Sequence, residues 1–190
     1  MRKRAGQSRK VAEFANQSPV LPLALDAVTG RVQPLSGTAG MIWISVWIEL
    51  MRQNLWRDRD VILRCAGAYR SAVHSGQLYG APEDVGECSS SEDAHIAINA
   101  WCDLYEQFQR PEDLETATRA ARWLYLWRRC FHLPLSPRTL VGAYRLSSVG
   151  GEFASPKNVT THLLTDKILW HSRPRLCPRA NHSRGRLCHK

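Results

Sequence analysis

The chain has 190 residues, 44% of them hydrophobic, with a formal charge of +9 at neutral pH. That composition is globular and excludes a wholly disordered or collagen-like chain. No run of about 18 apolar residues occurs, and the longest apolar stretch, Met41 to Met51, is short and broken by Glu49, so a membrane-spanning helix is not expected.

The charge belongs to the two ends. Residues 1–10 hold Arg2, Lys3, Arg4, Arg9 and Lys10 and no acid. Residues 171–190 hold Arg173, Arg175, Arg179, Arg184, Arg186 and Lys190 and again no acid. Removing these eleven from the 26 basic residues leaves fifteen against 17 acidic ones, so residues 11–170 are near neutral. Residues 1–18 and 171–190 lack periodicity and read as disordered basic tails, with weak nucleic-acid binding as their one implied activity. Residues 19–36 read as a short β hairpin, with Thr29-Gly30 as its turn.

Helical patterning begins after Gly37. A helix over 38–56 is apolar on nearly all sides and therefore buried. One over 58–74 carries Val61, Ile62, Cys65, Ala68, Tyr69 and Ala72 on a single stripe. The glycine- and serine-rich loop "YGAPEDVGECSSSED" follows, with Glu83, Asp84, Glu87, Glu92 and Asp93. A helix over 89–109 repeats Ala94, Ala97, Ile98, Trp101, Leu104, Tyr105 and Phe108 at the helical period, and its start offers two capping-box frames, Ser89 with Glu92 or Ser90 with Asp93. His95 reads as a surface residue of this helix. Pro111, Glu112 and Asp113 open a helix over 111–130. Only Gln109 and Arg110 separate these two helices, which makes them an antiparallel hairpin. A long connection, 132–154, leads to Ser155-Pro156, an N-cap signal for a last helix over 156–170.

Consecutive antiparallel helices put their connections at alternating ends. Both long loops, 76–88 and 132–154, therefore belong at one end with the start of the 89–109 helix, and this end is the expected functional face. The whole reads as mainly α: an antiparallel α-hairpin array over 19–170 with a short β segment in front.

The stretch "YGAPEDVGECSSSEDAHIAINAWCDLYEQFQRPEDLETATRAARWLYLW", a Pro-containing loop and "YRLSSVGGEFASPKNVTTH" together resemble the six-hairpin glycosidase superfamily, whose members are (α/α) toroids. The resemblance covers about residues 57–164. A closed toroid has more helices than the five predicted here, so it implies a partial toroid and a carbohydrate-active protein. Its reaction, if the cleft were complete, is glycoside hydrolysis by two carboxyl groups. Glu92, Asp93 and Glu87 are then the catalytic candidates, with capping of the helix start the favoured role for Glu92 and Asp93. Glu152 is the one acid in the second loop. Tyr79, Trp127, Arg145, Asn158 and His162 are candidates for binding the sugar, Asn158 and His162 sharing a helix face at four-residue spacing. Trp123 and Trp127 crowd the end of their helix, and Arg128 and Arg129 read as solvated. Alternative readings are a non-catalytic or degenerate fragment and a helical nucleic-acid-associated protein.

The six cysteines contain no CxxC pair and read as reduced thiols of a cytoplasmic protein. Cys177, His182, Cys188 and His189 do not follow a zinc-site spacing, and neither a metal nor a cofactor is expected. Carbohydrate is the expected partner, and the apolar edges of a partial toroid make oligomerisation a further expectation.

Overall fold

The computed structural model describes residues 2–24, 26, 28–31, 37–81, 88–153 and 161–162, with the backbone alone described for 2–9, 141 and 161–162. The chain is mainly helical. In order it forms α1 (Arg2–Gln17), a 3-10 turn (Ala39–Met41), α2 (Ile42–Arg52), α3 (Arg59–Ser75), α4 (Ser91–Phe108), α5 (Pro111–Tyr125), α6 (Leu140–Ala143), β1 (Glu152–Phe153) and β2 (Thr161–His162).

The helix boundaries follow local chemistry. Asp58 caps α3 by accepting from the Val61 N–H, and Gly76 ends it in the left-handed conformation at φ 71°. Ser90, not Ser89, caps α4, in a reciprocal capping box with Asp93. Gln109, at φ 55°, turns the chain out of α4, and Pro111 starts α5 one residue after Arg110. The helix expected over 38–56 stops at Arg52, and Asn54 at φ 58° reverses the chain.

The core joins α2, α3, α4 and α5. α4 packs on α5 and α2, α3 packs on α5 and α2, and α1 lies against α2 and α3. Trp47, Trp101, Tyr69, Met41, Ile44, Ile48, Ile62, Ile98, Leu104 and Leu124 are fully buried between them. Each such side chain contributes roughly 1.5–3 kcal/mol of burial. Charged pairs fix the relative settings. The buried Asp113 carboxylate accepts from Arg110 Nε and Nη2 and from Arg70 Nη2, each at 2.7 Å, which locks α3 to the α4–α5 turn. Arg52 reaches Asp103 at 3.2 Å and Glu106 at 3.0 Å, which locks the end of α2 to α4. Tyr69 Oη hydrogen-bonds both backbone groups of Leu21, and Gly40 lies so close to Leu21 that a Cβ there would stand 2.3 Å from its carbonyl oxygen.

Three expectations are corrected. Residues 2–17 form a helix rather than a disordered tail, because Val11, Ala12 and Ala15 bury one stripe of it against the bundle. Among the described residues of 19–31 there is no strand: Asp26 accepts from the N–H groups of Val28 and Thr29, which makes an isolated turn. The predicted helix over 156–170 is not the conformation of Thr161–His162, which pair antiparallel with Glu152–Phe153; its other residues, and the tail 171–190, lie outside the described residues. The β-branched run Val159-Thr160-Thr161 carries the competing strand preference. Among the described residues, no helix is long and apolar enough to cross a membrane, and Cys65, Cys88, Cys102 and Cys130 form no disulfide.

Candidate functional site at the loop end of the α4–α5 pair

After α5 the chain runs antiparallel to residues 150–153. Arg129 N–H donates to the Gly151 carbonyl at 2.8 Å, Gly150 N–H donates to the Arg129 carbonyl at 2.9 Å, Phe153 N–H donates to the Trp127 carbonyl at 2.9 Å, and Arg128 bridges Glu152. β2 extends this small sheet on the far side of β1. The excursion between, residues 131–148, is closed at its neck by Ser148, whose Oγ accepts from Leu133 N–H at 2.7 Å and donates to the Phe131 carbonyl at 3.2 Å.

This sheet sits at the start of α4, and a buried polar cluster joins the two. Glu152 is fully buried, and its carboxylate accepts from His95 Nε2 at 2.7 Å and from Arg128 Nε at 3.4 Å. The carboxylate fixes the tautomer: Nε2 carries the proton, so Nδ1 of a neutral imidazole presents a lone pair. Nδ1 is buried and has no hydrogen-bond partner among the described residues. A buried polar atom in that condition costs about 1–3 kcal/mol.

The first long loop is tied to the same end through Asp93. Its Oδ1 accepts from the Ala81 N–H at 2.9 Å, and its Oδ2 accepts from the Ser90 N–H at 2.9 Å and the Ser90 Oγ at 3.0 Å. Burial pushes the Asp93 carboxyl above its ordinary range, outweighing these three donors, which pull the other way. The chain just before Ala81 is held in turn by Thr38, whose N–H donates to the Tyr79 carbonyl and whose Oγ1 accepts from the Tyr79 N–H.

The expected site residues therefore separate. Asp93 is a cap and a loop anchor. Glu92 is half-buried in the same first turn. Tyr79 is half-buried and held by its backbone. Trp127 lies beyond the end of α5, half-buried, with its ring 5.4 Å from that of Trp123. Arg145 is exposed at φ 51° on the excursion. Glu87, Glu83, Asp84 and Asn158 lie outside the described residues, as does the His162 side chain. His162 stands opposite Glu152 in the strand register, so helical four-residue spacing does not relate it to Asn158.

Two expectations fail here for a nonlocal reason. His95 is 4% exposed rather than a surface residue, because β1 covers it. Arg128 pairs with Glu152, and Arg129 is buried with its guanidinium 4.1 Å from the Phe153 ring centroid, so neither is simply solvated. The His95–Glu152 pair spans 57 residues of sequence, and no local pattern signals it.

Comparison with family models, with curated proteins and with solved structures gave no match.

Proposed function

We propose that this chain is a sector of a carbohydrate-active protein of the six-hairpin type, with α4 and α5 as one of its α-hairpins and the loop end of that hairpin as the sugar-facing surface. The observation that carries this reading is the convergence of both long connections on the start of α4, one through Ala81 and Asp93, the other through Glu152 and His95. Two half-buried tryptophans, Trp123 and Trp127, stand at the end of α5 and offer ring faces to a sugar.

The chemistry favoured is binding rather than hydrolysis. A hydrolase needs one carboxyl group to give a proton and another to stabilise or attack the oxocarbenium-like centre. Asp93 and Glu152 are both buried and both engaged by donors of the protein itself, so they serve the scaffold. This supports the non-catalytic form of the family reading.

The test is intrinsic tryptophan emission of the full chain titrated with xylo-, cello-, manno- and uronate oligosaccharides, alongside a reducing-sugar assay. A saturable change with at least one series is expected, and Trp127→Ala is expected to weaken it about tenfold or more, a loss of about 1.4 kcal/mol. No response to any series from a chain that still unfolds cooperatively would remove the sugar reading. Release of reducing ends would overturn its non-catalytic form.

A further inference from the structure

We propose that the excursion after α5, residues 131–148 with the adjoining Val149, is a docking surface for an anionic lipid bilayer, independently of the sugar reading. The excursion holds little regular structure, yet its backbone is tied down. Ser148 closes its neck through Leu133 and Phe131. Further out, Thr139 caps α6. Its Oγ1 accepts from the Gly142 N–H at 3.1 Å and donates to the Ser136 carbonyl at 2.8 Å. Gly142 lies against that same carbonyl, with no room for a Cβ between them. α6 thus rests on the chain before it through its glycine side.

That contact decides which side chains face outward. Leu140 and Tyr144 are one turn apart, joined by the bond from the Tyr144 N–H to the Leu140 carbonyl at 3.1 Å. At about 100° per residue they share a side of the turn, and Gly142 falls opposite them. Closing the glycine side on Ser136 therefore turns Leu140 and Tyr144 into solvent, where they are 77% and 72% exposed. Phe131, Leu146 and Val149 add three more apolar side chains, each between 48% and 54% exposed. Single exposed apolar residues are ordinary on a protein surface, but several held on one tied loop mark a contact. They form separate projections, which a bilayer interface admits. The phenol of Tyr144 has the amphipathic character that favours the headgroup level.

Charge selects the occupant. No acid occurs between Glu115 and Glu152, and Glu152 is buried and engaged by His95 and Arg128. Arg138 and Arg145 are exposed and bracket α6, the first two residues before Leu140 and the second directly after Tyr144. A second copy laid face to face would set these arginines against their equals with no acid to answer them. Residues 171–190 hold six basic residues and no acid, so they carry the same sign and do not complement this face. A nucleic-acid duplex would take the arginines and leave Leu140, Leu146 and Val149 in water. Anionic headgroups over an apolar interior take both kinds of side chain at once.

The test is co-sedimentation of the full chain with phosphatidylcholine vesicles, with and without phosphatidylglycerol. Retention by the mixed vesicles alone is expected, and it should weaken as salt is raised. Leu140→Ser with Tyr144→Ser is expected to cost at least about tenfold. Arg138→Gln with Arg145→Gln is expected to cost about 25-fold, at about fivefold for each charge near an anionic surface. Gly142→Ala removes no apolar or charged group but lifts α6 off Ser136, and it should weaken retention too. Val28→Ser with Leu55→Ser changes two exposed apolar residues elsewhere and should leave retention in place. The side chains changed in the three double variants are exposed, so each of these should match the parent in urea unfolding. The proposal is overturned if mixed vesicles do not retain the chain, if phosphatidylcholine alone retains it equally, or if either double variant in the excursion binds as the parent does. Loss of retention in the Val28 and Leu55 control would equally overturn it, as would unchanged retention by Gly142→Ala. Dimerisation without lipid that Leu140→Ser with Tyr144→Ser abolishes would assign this face to a second copy. Binding of a DNA duplex as tight as that of the mixed vesicles would overturn the choice of lipid.

Discussion

Glu152 is the group whose removal should be felt most sharply, and the structure gives the size of the effect. Glu152→Leu takes away the one acceptor of His95 Nε2 and a counter-charge of Arg128, whose side chain is 19% exposed. His95 Nδ1 has no partner among the described residues, so the variant leaves both ring nitrogens of a buried imidazole without one there. Breaking a buried charged pair from one side costs about 3–5 kcal/mol, and the lower figure applies because Arg128 retains access to water. A loss of about 3 kcal/mol is a large share of the 5–15 kcal/mol typical of a domain. The clean measurement is a double-mutant cycle by urea denaturation, followed through helical circular dichroism. His95→Phe together with Glu152→Leu should be less damaging than the two single changes summed, by about 1–2 kcal/mol, since neither partner is then stranded. Agreement with simple additivity to within about 0.5 kcal/mol would refute the coupling of the two side chains. A fall in the denaturant slope of Glu152→Leu would instead mean that the small sheet had detached before the bundle unfolded.

Three further changes test other parts of the molecule. Burial raises the folded pKa of Asp93 above that of an ordinary aspartate, so the folded state holds this proton more tightly than the unfolded chain. Its contribution to stability is therefore fullest below the unfolded value and declines as pH rises through the raised one. Thermal unfolding of the parent should gain on that of Asp93→Asn as pH falls from neutral toward 4, and a widening in the opposite direction would show that its hydrogen bonds outweigh its burial. Gly40→Ala would place a Cβ 2.3 Å from the Leu21 carbonyl oxygen and should cost about 1–3 kcal/mol. Gly67→Ala in the middle of α3 meets nothing within 4 Å and should stabilise by about 0.5–1 kcal/mol, so equal melting shifts for the two glycines would contradict the packing described at Leu21.

Much of the bundle is legible in the residues because its signals are local. Asp58, Ser90 with Asp93, Gly76 and Pro111 mark helix ends through bonds that span only a few residues, and the stripe from Ala94 through Leu104 is buried as its period implies. α1 escapes such a reading because its first nine residues hold no large apolar side chain and its buried stripe is short, so the surface of α2 and α3 decides its conformation rather than its own pattern. The candidate site is less legible still. α4 is covered on more than one side, by α2, by α5 and by β1, so His95 is buried although it lies off the apolar stripe. The partner that buries it, Glu152, sits in a segment of weak propensity whose pairing with Arg128 is a long-range event.

The Ser148 neck separates the history of the excursion from that of the helices. Residues 131 and 133 are joined to Ser148 before the chain enters β1, so the strand register at Glu152 does not depend on what lies between. The interval can be lengthened at a cost set mainly by loop closure, about 0.6 kcal/mol for a doubling in length, although Gly142 packs against the Ser136 carbonyl and leaves no room for a Cβ. The fold thus holds a surface that tolerates added length beside a buried polar clamp, a layout in which new recognition can arise without renegotiating the core.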